Sequence, residues 1–127
     1  MAAALRLAAS KPKGGFSAMR AVERIYRAEA MRYLATGHTA ITCSALLSTS
    51  YLSEKGEVYP CTIWDKPLGN IRSTKFALMP IIEGARRDGV RRAVAEARCP
   101  NCWTPCEAYP AIGASPLRSL AALIQGG

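Results

Sequence analysis

The chain is expected to be a small α+β domain: an N-terminal helix, then a short β-hairpin, then helices leading to a cysteine-rich loop. Three observations point there. Apolar residues recur at helical spacing between residues 18 and 34, two β-branched and apolar runs flank a glycine-bearing turn near residue 56, and residues 74–97 regain a helical pattern just before Cys99. At 127 residues the chain has the length of one domain, or of one domain with a tail. Half the residues are apolar but only 7% are aromatic, which implies a thin core.

Residues 1–16 include Lys11-Pro12-Lys13-Gly14-Gly15 and read as a flexible basic start. Their acid-free, Arg-bearing composition has a faint transit-peptide flavour, but a frayed start is the expectation. From Ser17, a suitable N-cap, the positions Ala18, Val22, Ile25, Tyr26, Ala30, Tyr33 and Leu34 line one helix face, with Arg20, Arg24, Arg27 and Arg32 on the other. Gly37 is placed to end that helix. His38, the only histidine, follows it and reads as an exposed cap residue without a role.

Residues 39–52 and 57–63 form the two arms of the expected hairpin, with Gly56 in the left-handed position of its turn and Pro60 near a strand end. The turn folds Cys43 back toward Cys61. The stretch Trp64 to Ile71 is rich in turn residues, and Trp64 is expected to pack over the hairpin. Residues 74–97 read as helical with interruptions at Pro80, Gly84 and Gly89, and Arg86, Arg87, Arg91, Arg92 and Arg98 as a solvated basic face. Glu107 to Ile112 reads as irregular. Ser115-Pro116 then supplies an N-cap and first turn for a closing helix through Leu117, Leu120, Ala121 and Ile124.

The chemistry lies in the cysteines. Cys99, Cys102 and Cys106 occupy eight residues at C-x2-C-x3-C spacing, stiffened by Pro100 and Pro105, and the last helix delivers them toward Cys43 and Cys61. Thiolates at such spacing converge on zinc or on an iron-sulfur cluster. Either centre would stabilise a thin core. An odd total of five cysteines does not suit a disulfide framework, and no apolar run has secretory or membrane-spanning length, so a cytoplasmic, reducing compartment is expected.

Taken whole, the pattern is C-x12-G-x4-C, a gap of 37 residues, then C-x2-C-x3-C. It resembles the C-terminal auxiliary-cluster region, of SPASM or twitch type, of radical S-adenosylmethionine proteins. The resemblance rests on Cys43, Gly56-Glu57-Val58-Tyr59-Pro60-Cys61, Pro67-Leu68-Gly69-Asn70-Ile71 and Cys99-Pro100-Asn101-Cys102-Trp103, within residues 38–112. It implies a hairpin and helices wrapped around auxiliary 4Fe-4S clusters. A two-cluster domain of this kind has seven cysteines; five thiols support one complete cluster, as in the twitch arrangement. The implied ligands are Cys43, Cys61, Cys99 and Cys102, with Cys106 as a spare or alternative fourth metal ligand. The family's C-x3-C-x2-C motif is not matched, and 42 residues before Cys43 cannot form its barrel. The expectation is therefore a detached or truncated auxiliary domain with no S-adenosylmethionine site and no self-sufficient radical chemistry.

This reading divides the chain into a basic start at 1–16, a linker helix at 17–37, a cluster-binding domain at 38–112 and a tail with a short helix at 113–127. The expected function is electron transfer or substrate positioning through one 4Fe-4S cluster, with Trp103, Tyr59 and Tyr109 shielding it from water. The resemblance implies a radical S-adenosylmethionine barrel or a redox protein as partner, and a peptide or protein as substrate. A structural zinc site in an interaction module is the alternative, although zinc ribbons usually pair two C-x2-C knuckles, whereas 17 residues separate Cys43 and Cys61. A thiol-disulfide protein using Cys99 and Cys102 lacks the surrounding β-α-β pattern. The 17 Lys and Arg against 9 Asp and Glu, a net +8, suit an acidic partner. Nucleic acid is not expected, since no helix-turn-helix, RNA-stacking or finger signature accompanies the charge.

Overall fold

The structure, a computed structural model, describes residues 18–125. Ser17 and the basic start lie outside the described residues. Helix α1 (Ala18–Thr36) buries Ile25 and Glu29 and half-buries Val22, Tyr26, Ala30 and Tyr33, so one stripe at three- and four-residue spacing faces inward. Glu23 and Arg27 pair along its surface at 3.0 Å. The helix stops at Gly37, whose φ of +73° turns its N–H onto the Tyr33 carbonyl at 2.8 Å. The buried Glu29 carboxylate then accepts the Ala40 N–H at 2.6 Å, which ties down the chain leaving the helix.

The sheet has three short antiparallel strands in the order β1 (Tyr51–Leu52), β2 (Glu57–Tyr59) and β3 (Gly69–Asn70). Tyr51 pairs with Tyr59 and Leu52 with Val58, while Glu57 pairs with Asn70 and Val58 with Gly69. The expected hairpin is present but its first arm is much shorter than residues 39–52. The cause is local hydrogen bonding: Leu47 and Ser48 N–H groups both turn back onto the Ser44 carbonyl, and the two serine hydroxyls meet at 2.6 Å. Serines and threonines in this run offer the backbone turns in place of a ladder. Leu46 takes φ +60° there, held by burial of its side chain beside Val58. The third strand falls in the stretch read as turn only.

A single 3-10 turn (Ile71–Thr74) follows, then α2 (Met79–Ile82) and α3 (Arg87–Ala95). Pro80 opens α2 instead of interrupting a helix, since the first turn of a helix needs no N–H from it. Gly89 lies inside α3 and does not break it. Gly84 does mark the boundary between the two helices. Residues 105–114, expected to be irregular through Ile112, are helix α4 (Pro105–Ala114), with Pro105 in its first turn and Pro110 tolerated within it. Helix α5 (Pro116–Gln125) starts where expected, but Leu117, Leu120 and Ile124 are exposed, and it is Ser119 that is buried, donating its hydroxyl to the Ile112 carbonyl at 2.8 Å.

Two apolar clusters result. One joins α1 to α4 through Ile25, Ile41, Trp103, Ala108, Ala111 and Ile112. The other joins the sheet to α2 and α3 through Leu46, Val58, Leu68, Ile81, Val90 and Val94, with Trp64 packed against it. Each fully buried aliphatic side chain contributes about 1.5–3 kcal/mol. Cys43, Cys61, Cys99 and Cys102 lie along the seam between these clusters.

Candidate metal centre

A cavity of about 170 Å³ opens at that seam, and Cys43, Cys61, Cys99 and Cys102 all line it. Three separate pieces of backbone deliver them. Cys43 sits at the head of the serine turn, whose Cys43 and Ala45 carbonyls both accept from the Arg91 guanidinium at 2.9 Å. Cys61 follows β2 directly. Cys99 and Cys102 belong to the loop after α3, where Ala97 and Asn101 adopt left-handed φ values of +52° and +47°. That loop is fastened to α1: Tyr33 donates its hydroxyl to the Asn101 carbonyl at 2.7 Å, and the Asn101 amide donates to the Gly37 carbonyl at 2.8 Å. Cys106, in the first turn of α4, is exposed and does not line the cavity.

The wall mixes apolar and polar residues. Ile41, Trp103 and Ala108 come from one cluster and Val94 and Trp64 from the other. Trp103 is fixed by an indole N–H donated to the Tyr26 carbonyl at 3.0 Å and by stacking on Tyr26, centroids 6.1 Å apart. Tyr59 and Tyr109, expected to shield the centre, do not line this cavity: Tyr59 packs against Tyr51 and bonds Glu57, while Tyr109 stacks on Tyr26 and bonds Glu23. Trp64 takes the shielding position and carries the Lys66 ammonium 5.2 Å from its ring centroid.

The thiols sit in turns that aim backbone donors at sulfur. The Ala45 N–H points at Cys43 Sγ at 3.4 Å, and the N–H groups of Ile63 and Trp64 point at Cys61. Such donors favour the thiolate, the form that binds metal. Burial acts the other way, pushing the Cys43 thiol up to about 11 and raising Cys61 as well. Without a metal the two thiols are protonated at neutral pH, and metal binding must expel those protons. Donor type, convergence on one cavity and N–H groups directed at sulfur fit a thiolate-ligated metal cluster. At the same time, no three His, Cys, Asp or Glu side chains among the described residues converge tightly enough to hold a single metal ion.

One charged residue in this wall has no counterpart in the sequence reading. Glu107 is only 4% exposed and lines the cavity beside the thiols. Its carboxylate accepts the Thr49 hydroxyl at 2.8 Å and the Thr62 N–H, and burial holds its pKa above the ordinary value. The signal was available: Thr104-Pro105-Cys106-Glu107 has the T-x-x-E pattern of a helix start, and it places Glu107 one turn into α4. The structure also revises the basic face. Arg91 clamps the Cys43 turn and Arg86 donates to the Pro67 and Leu68 carbonyls, so two of its members serve backbone oxygens.

Fold and site together define a small α+β domain with four thiols from distant parts of the chain around one cavity. Comparison with protein families names it further: residues 43–103 match the family described as SPASM, an iron-sulfur cluster-binding domain. Residues 43–103 are thus similar to a SPASM-type iron-sulfur cluster-binding domain. The matched segment begins on Cys43 and ends on Trp103, spanning all the cavity-lining cysteines and leaving out Cys106. Comparisons with curated proteins and with solved structures returned no match. Among the described residues, no helix is long and apolar enough to cross a membrane.

Proposed function

We propose that the domain holds one 4Fe-4S cluster on Cys43, Cys61, Cys99 and Cys102 and serves a radical S-adenosylmethionine protein as an auxiliary electron-transfer unit. The observation that supports this is the one cavity that Cys43, Cys61, Cys99 and Cys102 all line. A fully thiolate-ligated cluster has no open iron, which supports one-electron transfer over Lewis-acid chemistry. The partner in this reading is a radical S-adenosylmethionine barrel or a redox protein with an acidic face, complementary to a chain of net charge +8. Its setting is a reducing, cytoplasmic one.

Anaerobic reconstitution with iron and sulfide tests the proposal. The expected product is brown, with broad visible absorption and about four irons per chain. A colourless protein that takes up one zinc per chain and no iron would overturn it.

A further inference from the structure

Beside the thiols, the cavity wall holds a buried carboxylate. Glu107 is 4% exposed, it lines the cavity shared by Cys43, Cys61, Cys99 and Cys102, and no ion pair offsets it among the described residues. Both groups that bond it, the Thr49 hydroxyl and the Thr62 N–H, are donors, which is the arrangement an ionised carboxylate requires. A helix turn with an apolar residue at this position would close the wall as Ala108 does. A buried negative group acts on whatever charge shares its cavity, because burial keeps bulk water from screening it fully.

From this we infer that Glu107 is a positioning residue for charge: it biases the centre held by the four thiols toward its oxidised state and so lowers its reduction potential. The inference rests on the cluster reading given above. A 4Fe-4S core with four thiolates carries about −2 when oxidised and about −3 after accepting one electron. The electron comes from an external one-electron donor, no bond is made or broken in the protein, and the cost of the extra charge rises with every fixed negative group nearby. Among the described carboxylates, Glu107 is the one that lines the cavity.

The test compares reconstituted wild type, Glu107→Gln and Glu107→Asp at pH 8, equilibrated with dithionite through mediator dyes, with the reduced fraction read by electron paramagnetic resonance. The amide keeps the shape and an acceptor oxygen for Thr49 while removing the charge. At one solution potential the ratio of reduced to oxidised centre is expected to be about tenfold higher in Glu107→Gln, equivalent to about 59 mV for one electron, with iron content unchanged. Glu107→Asp, whose charge is withdrawn by one methylene, is expected to fall between. Equal ratios in wild type and Glu107→Gln at equal iron content overturn the inference. Should the Gln variant lose iron, the Asp variant decides, and a ratio equal to wild type is the overturning result. Wild type that binds zinc and no iron refutes the cluster reading itself and this inference with it, an outcome distinct from a cluster whose potential ignores Glu107.

Discussion

Replacing Gly56 by Ala tests how the hairpin controls the centre, and Gly37 provides an internal control. Both glycines have positive φ, +82° and +73°. A side chain forced into this region costs about 1–2 kcal/mol, offset by about 0.4–1 kcal/mol from the stiffer unfolded chain. For Gly37→Ala nothing else is added, because a Cβ there meets no atom within 4 Å, and the net loss is about 1 kcal/mol. For Gly56→Ala the new Cβ would lie 3.0 Å from Asn70 Oδ1 and 3.2 Å from Ile71 Cγ1. Asn70 cannot swing away freely, since Oδ1 accepts the Arg72 N–H and Nδ2 donates to the Lys55 carbonyl. Overpacking adds about 1–3 kcal/mol, for a total of about 2–4 kcal/mol. At roughly 4 °C per kcal/mol for a chain of this size, the melting temperature of reconstituted protein should fall by roughly 4 °C in Gly37→Ala and roughly 8–16 °C in Gly56→Ala. Only the second should shed iron faster, because its turn sets the path of β2 into Cys61. Equal shifts in the two variants, or normal iron retention in Gly56→Ala, would refute the argument.

Other expectations follow from the same geometry. Ala in place of Cys43, Cys61, Cys99 or Cys102 should each abolish iron uptake on reconstitution, while Cys106→Ala keeps it near wild type; parallel loss in the Cys106 variant would make that residue a ligand. Arg91→Met removes two bonds from the Cys43 turn and should lower stability by about 2 kcal/mol, measurable by urea unfolding, with faster iron loss to a chelator. The Glu107 carboxyl is raised above 4.5 by burial, so its stabilising contribution is present below that pH and lost as pH rises through the folded value. Melting temperatures of metal-free wild type should therefore decline as pH is raised from about 4.5 toward neutrality, and Glu107→Gln should flatten that decline.

Much of this architecture was legible in the residues. The stripe from Val22 to Tyr33, the stop at Gly37, the turn at Gly56 and the Ser115-Pro116 start each obey a local rule that packing did not override. Spacing alone did not separate Cys106 from the four thiols that line the cavity. What escaped depended on side chains reaching across the fold. Residues 39–50 carry strand-like composition, yet Ser44, Ser48 and Thr49 spend their hydrogen bonds on turns and on Glu107, and Arg91 holds the result in place. β3 is only two residues long and has no periodicity to read. Arg91 and Arg86 look like any solvated arginine in sequence, because nothing local reveals that distant carbonyls await them. Tyr59 and Tyr109 lie close to cysteines along the chain, but strand and helix geometry turn them elsewhere, and Trp64 fills the wall instead.

The tether between Trp103 and Tyr26 has a practical bearing on how the protein is divided. Trp103 closes the span that matches the SPASM family, yet its indole is anchored to a helix that lies wholly before that span, and its neighbours Ala108, Ala111 and Ile112 lie wholly after it. Cutting at the edges of the shared span would strip one side of the metal chamber down to solvent. The smallest piece able to keep its inorganic cargo dry is thus wider than the piece that the family has in common.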